Sequence, residues 1–317
     1  MIHLTQFTRR FGKHVAVDGV TLFIPEKQIF GLIGPNGAGK TTIFRFLATL
    51  LAPTSGGGRI CGYDVVRHYR IVRQLLGFMP DSFGVYPGMR VDEFLAFFAQ
   101  AHGIAGAERR RLVGDILDLV DLGAVRARQV ETLSRGMRQR LCLGRALLHN
   151  PRVLILDEPA AGLDPRARRE VQELIRTLAE LGKTILISSH ILAELGDICT
   201  SVGFLDQGHL VRAGKLDDVL AAVRPHRVFR VELVGAAEPA QEALRARADV
   251  LRQSAPSASP RGRTVIQFEA RAGDEEIAAL HADMLRRGAR LVLFEEQQAD
   301  LEEAFLKITA DSPAPTP

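Results

Sequence analysis

Cysteine is scarce: Cys61, Cys142 and Cys199 are the three thiols of a 317-residue chain. They are odd in number and far apart, and no two have Cys-x-x-Cys spacing, which argues against a disulfide framework or a zinc site. Reduced thiols without a disulfide partner are expected. Long apolar runs are missing too, since none approaches the ~18 residues that a membrane-spanning helix needs. The opening MIHLTQFTRRFG has no apolar core of a secretion signal and leads into strand-like sequence, so no export signal is expected. Charge of one sign is not in large excess. The 41 Lys and Arg stand against 37 Asp and Glu, for a formal net charge of +4. Such a balance permits a nucleic-acid or anionic-membrane partner without requiring either. No concentrated Lys/Arg block and no internal repeat is present.

What is there reads as an ordinary globular chain, 46% apolar and 25% charged, long enough for one large domain or two smaller ones. Strand candidates at 15–23, 28–33, 153–156, 184–188 and 201–205 alternate with helix candidates at 40–50, 91–101, 108–120, 136–148 and 166–181. Short apolar strands such as VLIL and TILIS, linked by helices, predict a mostly parallel, buried sheet. The stretch 91–130 is almost wholly helical and reads as an insert beside that sheet. Composition changes after about residue 223. The order strand 227–234, helix 238–248, short strand near 250, strand 263–269, helix 274–287 and strand 290–295, with a polar loop at 254–260, suits a small ferredoxin-like α+β sandwich. A last helix at 301–308 and a disordered tail, 311–317, are expected.

Gly34-Pro35-Asn36-Gly37-Ala38-Gly39-Lys40-Thr41 fits the Gly-x-x-x-x-Gly-Lys-Ser/Thr pattern between a strand, IFGLI, and a helix. Glycines let the backbone curl until several N–H groups face phosphate oxygens. The following helix adds its positive end. Lys40 is expected at the β- and γ-phosphates and Thr41 on Mg²⁺. Gly34, Pro35, Asn36, Gly37, Ala38, Gly39, Lys40, Thr41 and Thr42 form the expected nucleotide-contact run.

The strand VLIL ends in Asp157, Glu158 and Pro159. Asp157 at the strand tip suits the Mg²⁺ shell, and Glu158 suits the base that polarises an attacking water. TILISS ends in His190. At the carboxyl end of a parallel strand, that imidazole is a candidate γ-phosphate contact.

Leu133-Ser134-Arg135-Gly136-Met137 opens the helix that carries Cys142. Here the chain resembles the ATP-binding cassette family, whose signature usually reads Leu-Ser-Gly-Gly-Gln. Leu133, Ser134 and Gly136 match, and Arg135 and Met137 depart in the manner of cassettes that drive ABC-2 exporters. Physically the element is an anion-ready helix start, with a serine hydroxyl and a close-approach glycine; taken alone it reads as a helix N-cap. The resemblance covers about residues 1–222 with its motifs in the family's order. It implies an α/β P-loop NTPase cassette, 1–223, with a mostly parallel core sheet, an antiparallel β part and a helical insert. An accessory domain, 224–310, would follow.

The resemblance further implies ATP and Mg²⁺ as cofactors, a transmembrane permease as partner, and a head-to-tail homodimer in which Ser134 and Gly136 cap the ATP held by the other copy. Localisation at the cytoplasmic face of a membrane, through that permease, would follow. Phe11 looks like the aromatic that stacks on adenine, and Ala161-Gly162-Leu163-Asp164 like the D-loop. Residues 301–306 look like a terminal helix common in ABC-2 cassettes. Gly77-Phe78-Met79-Pro80 normally leads to a glutamine, but this chain has Asp81, expected at the metal shell as a catalytic and metal-contacting residue.

A cassette acting on nucleic acid or ribosomes is the competing reading. No long coiled-coil insertion or second cassette supports it, and no nucleic-acid partner is expected. A GTPase would want an Asn-Lys-x-Asp motif, and none is present.

Overall fold

The strand Ile29–Ile33 is buried at every residue, because it lies inside a sheet with neighbours on both edges. The computed structural model that shows this describes residues 1–82, 84, 86, 88–189, 191–223, 226–297 and 301–310. The sheet order is His209–Lys215, Ser201–Asp206, Ile29–Ile33, Thr184–Ser189, Val153–Asp157, Leu76–Met79. All neighbours pair in parallel except the first two, which form an antiparallel edge. Val153–Asp157 and Thr184–Ser189 are likewise wholly buried, which explains their unbroken apolar runs.

A second, antiparallel sheet runs His14–Ile24, Ile2–Phe11, Ser55–Ile60, Tyr63–Asp64. Ile2 and Leu4 alternate with exposed neighbours and join Val20, Leu22 and Ile24 in the core. The helix Lys40–Leu47 packs between the two sheets, touching His14–Ile24 and Ser55–Ile60 on one side and Val153–Asp157 on the other. Its Phe46 stacks on Phe7 with ring centroids 4.2 Å apart. A fully buried phenylalanine of this kind contributes about 2–3 kcal/mol. The helix ends at Leu47, three residues short of the expected limit, because Thr49 turns to a left-handed φ of 62°.

Ser55–Ile60, sequence SGGGRI, is a strand for a steric reason. A Cβ on Gly56 would run into the Gln6 carbonyl, and one on Gly58 would lie 2.9 Å from the Phe46 ring.

The expected helical insert is present as Val91–Ala101 and Gly106–Leu119, followed by 3₁₀ turns Gly123–Val125 and Val130–Thr132. Glu93 caps the first helix through the Arg90 N–H at 2.9 Å. Gly144 of the helix Arg135–Leu147 admits Ile116, whose Cγ2 would stand 3.0 Å from any Cβ there.

Contacts divide the chain into two compact units, Met1–Val219 with Ala304–Pro317, and Leu220–Glu303. The second unit has the sheet order Val250–Gln253, Thr264–Ala270, Arg227–Leu233, Leu291–Gln297, antiparallel throughout. With helices Glu238–Arg245 and Asp274–Arg286 this is the βαββαβ sandwich. Phe229, Val231, Ile266 and Phe268 pack with Ala240, Leu244, Leu280 and Met284 in its core. Within the loop 254–260, Ser257 and Ala258 pair with Val265 and Thr264. The final helix is Leu301–Ala310, and the tail 311–317 lies outside the described residues.

The three thiols are free. Burial pushes Cys142 up to about 11 and raises Cys199 as well. No helix among the described residues is long and apolar enough to cross a membrane.

Candidate functional site

The loop after Ile29–Ile33 curls because two of its glycines take φ of 85° (Gly37) and 107° (Gly39). It also sits against the core with no room to spare: a Cβ on Gly39 would lie 2.6 Å from the Ala16 carbonyl, and one on Gly34 would strike the Leu205 carbonyl. Pro35, Asn36 and Gly37 remain exposed at its crest, while Ala38, Gly39 and Lys40 are buried. The Lys40 ammonium folds back into the loop, donating to the Gly34 carbonyl at 2.6 Å and the Pro35 carbonyl at 3.0 Å. Lys40 is only 6% exposed. Burial lowers its pKa, against the raising fields of Glu158 and Asp157. The result is a loop of the shape that nests an anion, with a cation held at its floor.

The parallel register carries the remaining groups to the same end of the sheet. Ile33 pairs with Ser189, Asp157 with Ser188, and Met79 with Leu156. Asp157 is 2% exposed. It accepts the Ser188 hydroxyl at 2.6 Å and also the Thr41 hydroxyl. Burial raises its pKa, the two hydroxyls pull it down, and Asp81 and Glu158 push it up again. Glu158 follows with φ 49°, a left-handed conformation that costs a non-glycine residue about 1–3 kcal/mol. Its N–H donates to the same Ser188 oxygen at 3.0 Å. The Thr41 hydroxyl and Asp157 carboxylate are hard oxygen donors of the kind a Mg²⁺ shell uses.

A second helix start is built alike. Ser134 caps Arg135–Leu147 by accepting the Met137 N–H at 3.2 Å. Gly136 admits Ala167, since a Cβ on it would lie 2.8 Å from the Ala167 Cβ. Asp164 caps the adjoining helix Pro165–Glu180 by accepting the Arg166 and Ala167 N–H groups, both at 3.0 Å. Those amide bonds, the Ala167 bond foremost, hold the Asp164 carboxyl below its usual range.

Comparison with known proteins decides between the readings. The ABC transporter family model matches residues 17–161. The Nod factor export ATP-binding protein I of Cupriavidus metallidurans is 34% identical over 310 residues, covering 98% of this chain and 97% of the relative. The chain belongs to the ABC transporter ATP-binding protein family. The linearmycin resistance ATP-binding protein LnrL of Bacillus subtilis is 28% identical over 309 residues, with 98% of each chain covered. Among solved structures, an ATP-binding subunit of an ABC transporter superposes with a TM-score of 0.64 at 28% identity, over 70% of this chain and 92% of the other. A dimeric cassette in a post-hydrolysis state with ADP and Pi gives 0.62 at 25% identity, over 68% and 99%. The protein is thus an ATP-binding cassette with ATPase activity.

Several residues singled out in the sequence occupy other parts of the cassette. Thr41 and Thr42 open the helix after the loop, half-buried. Phe11 pairs with His14 across a hairpin whose next strand touches the loop through Ala16. Phe11 is 47% exposed, with the Arg9 guanidinium 4.6 Å from the ring centroid. Asp81 is exposed, accepts the Ser82 N–H at 2.7 Å, and acts electrostatically on Asp157. His190 lies outside the described residues.

Sequence reasoning assigned no role to Ser188. Its signal was available: a hydroxyl at the end of the apolar run TILI, level with Asp157 on the next strand.

Proposed function

We propose that this cassette is the nucleotide-binding subunit of an exporter, pairing head to tail with a second copy on ATP and driving a separate transmembrane subunit. The observation that carries this is the presence in one chain of two anion-facing helix starts, the loop 34–41 and the Ser134 cap. A monomer has use for one at each ATP, so the second is free to cover the ATP of another copy. The full-length relatives named for Nod factor export and linearmycin resistance support the export reading, and the dimeric cassette supports the pairing. Residues 1–223 would form the motor and 224–310 an accessory domain. The chain would sit at the cytoplasmic face of a membrane, peripheral through its partner.

In this reading Lys40 neutralises the β- and γ-phosphates while the N–H groups of residues 37–41 cradle them. Phe11 stacks on the adenine. Thr41 and Asp157 would hold Mg²⁺, which would supply charge neutralisation for the phosphates. Glu158 polarises the attacking water, His190 contacts the γ-phosphate, and Asp81 joins the metal shell from the side that senses the membrane partner.

Glu158→Gln tests the whole. It is expected to bind ATP yet hydrolyse it ~10²–10⁴ times more slowly, the range for a positioned base, and to elute as a dimer in Mg-ATP. A variant that stays monomeric and turns over normally would refute both base and dimer.

A further inference from the structure

The imidazoles of His102 and His149 lie flat on one another, ring centroids 4.3 Å apart and planes 12° from parallel. His102 directly follows the insert helix Val91–Ala101, and His149 stands two residues beyond the helix Arg135–Leu147. The half-buried His149 is also tied to a third element. Its Nε2 is 2.9 Å from the carbonyl of Leu76, the first residue of the strand Leu76–Met79. A carbonyl only accepts, so Nε2 carries the proton and the neutral ring has a bare Nδ1. That Nδ1 is buried and has no hydrogen-bond partner.

A second proton on His149 would place an N–H at a buried point with no acceptor, beneath another imidazole. A proton on His102 as well would stack two cations at 4.3 Å. The surroundings do not offset this. Lys183, just before the strand Thr184–Ser189, adds a positive field at His149 and is held there by the Asn150 side chain and the Pro151 carbonyl. Arg145, one turn earlier on the helix that leads to His149, lies over the Phe98 ring. Arg109 of Gly106–Leu119 binds Gln100, and Arg152 pairs with Glu26. No carboxylate among the described residues pairs with either histidine.

Burial lowers the pKa of both rings. At His149 the Leu76 bond raises it, and the His102 and Lys183 charges lower it further. Two helix C-termini also meet at the pair, and their negative ends favour a cation, which keeps the change within mild acid.

We propose that this stack is an acid-sensitive latch between the helical insert and the sheet. With both rings neutral, it holds the end of Val91–Ala101 against the end of Arg135–Leu147 and the start of Leu76–Met79. Protonation splits it and frees the end of the insert helix. A histidine with a depressed folded pKa contributes its stability fully above the ordinary value of about 6.5. That contribution is lost as pH falls through the depressed value. The latch stands at the end of the sheet opposite the nucleotide loop, since Leu76 pairs with Val153 whereas Met79 pairs with Leu156, beside Asp157. It therefore answers to pH without touching the phosphate site, and it does not depend on the dimer reading.

Hydrogen exchange of the full chain at about pH 8 and about pH 5, corrected for the intrinsic rate, tests this. The Gly103 and Ile104 N–H groups, bonded to the Gln100 and Ala99 carbonyls at 2.9 and 3.0 Å, report the end of the insert helix. The strand Val153–Asp157 reports the core. Between the two conditions the wild type is expected to lose about tenfold in protection at Gly103 and Ile104, the change that one unit of pKa depression produces, with the strand unaltered. His102→Phe keeps a ring on His149 and removes one of the two charges, so its loss is expected to stay within about twofold. Proton NMR of the ring C–H signals is expected to place both wild-type titrations below about 6.5. Titration of either ring at or above that value would overturn the latch. So would full protection of the wild type in acid, an equal loss in His102→Phe, or an equal loss in the core strand.

Discussion

Ser188 donates its hydroxyl to Asp157 Oδ1 across 2.6 Å, and the Ser188 Oγ itself accepts the Glu158 N–H at 3.0 Å. One side chain on a neighbouring strand thus orients the Asp157 carboxylate and pins the Glu158 backbone. Ser188→Ala leaves a buried carboxylate short of a donor and a backbone N–H short of an acceptor. The expected loss is about 1–3 kcal/mol of stability, read from denaturant midpoints, with kcat reduced and ATP affinity kept. Unchanged stability and kcat together would show that Thr41 alone orients Asp157.

Asp157 itself is held above the ordinary carboxylate range, chiefly by burial. A carboxyl with a raised folded pKa binds its proton more tightly when folded. Its penalty is therefore fully present above that raised value and disappears as pH falls through it toward the ordinary carboxylate value. Asp157→Asn removes the penalty. The nucleotide-free variant is expected to melt higher than the wild type at neutral pH, the two converging under mild acid, while Mg-dependent hydrolysis is lost. A lower melting temperature at neutral pH would mean that the Ser188 and Thr41 bonds outweigh burial.

Lys40 is buried against two carbonyls of its own loop. Lys40→Ala is expected to weaken ATP binding by about one to two powers of ten, corresponding to the ~1.5–3 kcal/mol of a charge-assisted hydrogen bond, and to abolish turnover. Nucleotide titration decides it; unaltered affinity would remove Lys40 from the phosphate site.

Asp81 is exposed, and its charge helps push the Asp157 carboxyl up. Asp81→Asn keeps the shape and removes the charge. It is expected to raise the Mg²⁺ concentration for half-maximal hydrolysis and to weaken stimulation by the membrane subunit, with metal-free nucleotide affinity unchanged. Metal titrations with and without the membrane partner that overlay the wild type would take Asp81 out of the metal site.

The central strands and the helices beside them were legible in the chain, because burial on both faces demands runs such as VLILD and TILISS, and one-sided burial demands helical spacing. The loop 34–41 was legible because a nest at a helix start needs those glycines in that order. Ser55–Ile60 was not: SGGGRI carries none of the side chains that mark a strand, and its glycines make sense only once Gln6 and Phe46 are seen against them.

By itself, then, the sequence determined the central strands, the helices beside them, the glycine loop 34–41 and the pair of acids at the end of VLIL, all set by local spacing and local chemistry. Tertiary structure alone decided that Ser188 bridges Asp157 and Glu158, and that His102 lies on His149. These pairs are 31, 30 and 47 residues apart along the chain. Their meeting depends on strand order and on how two helix ends pack, which no local pattern encodes.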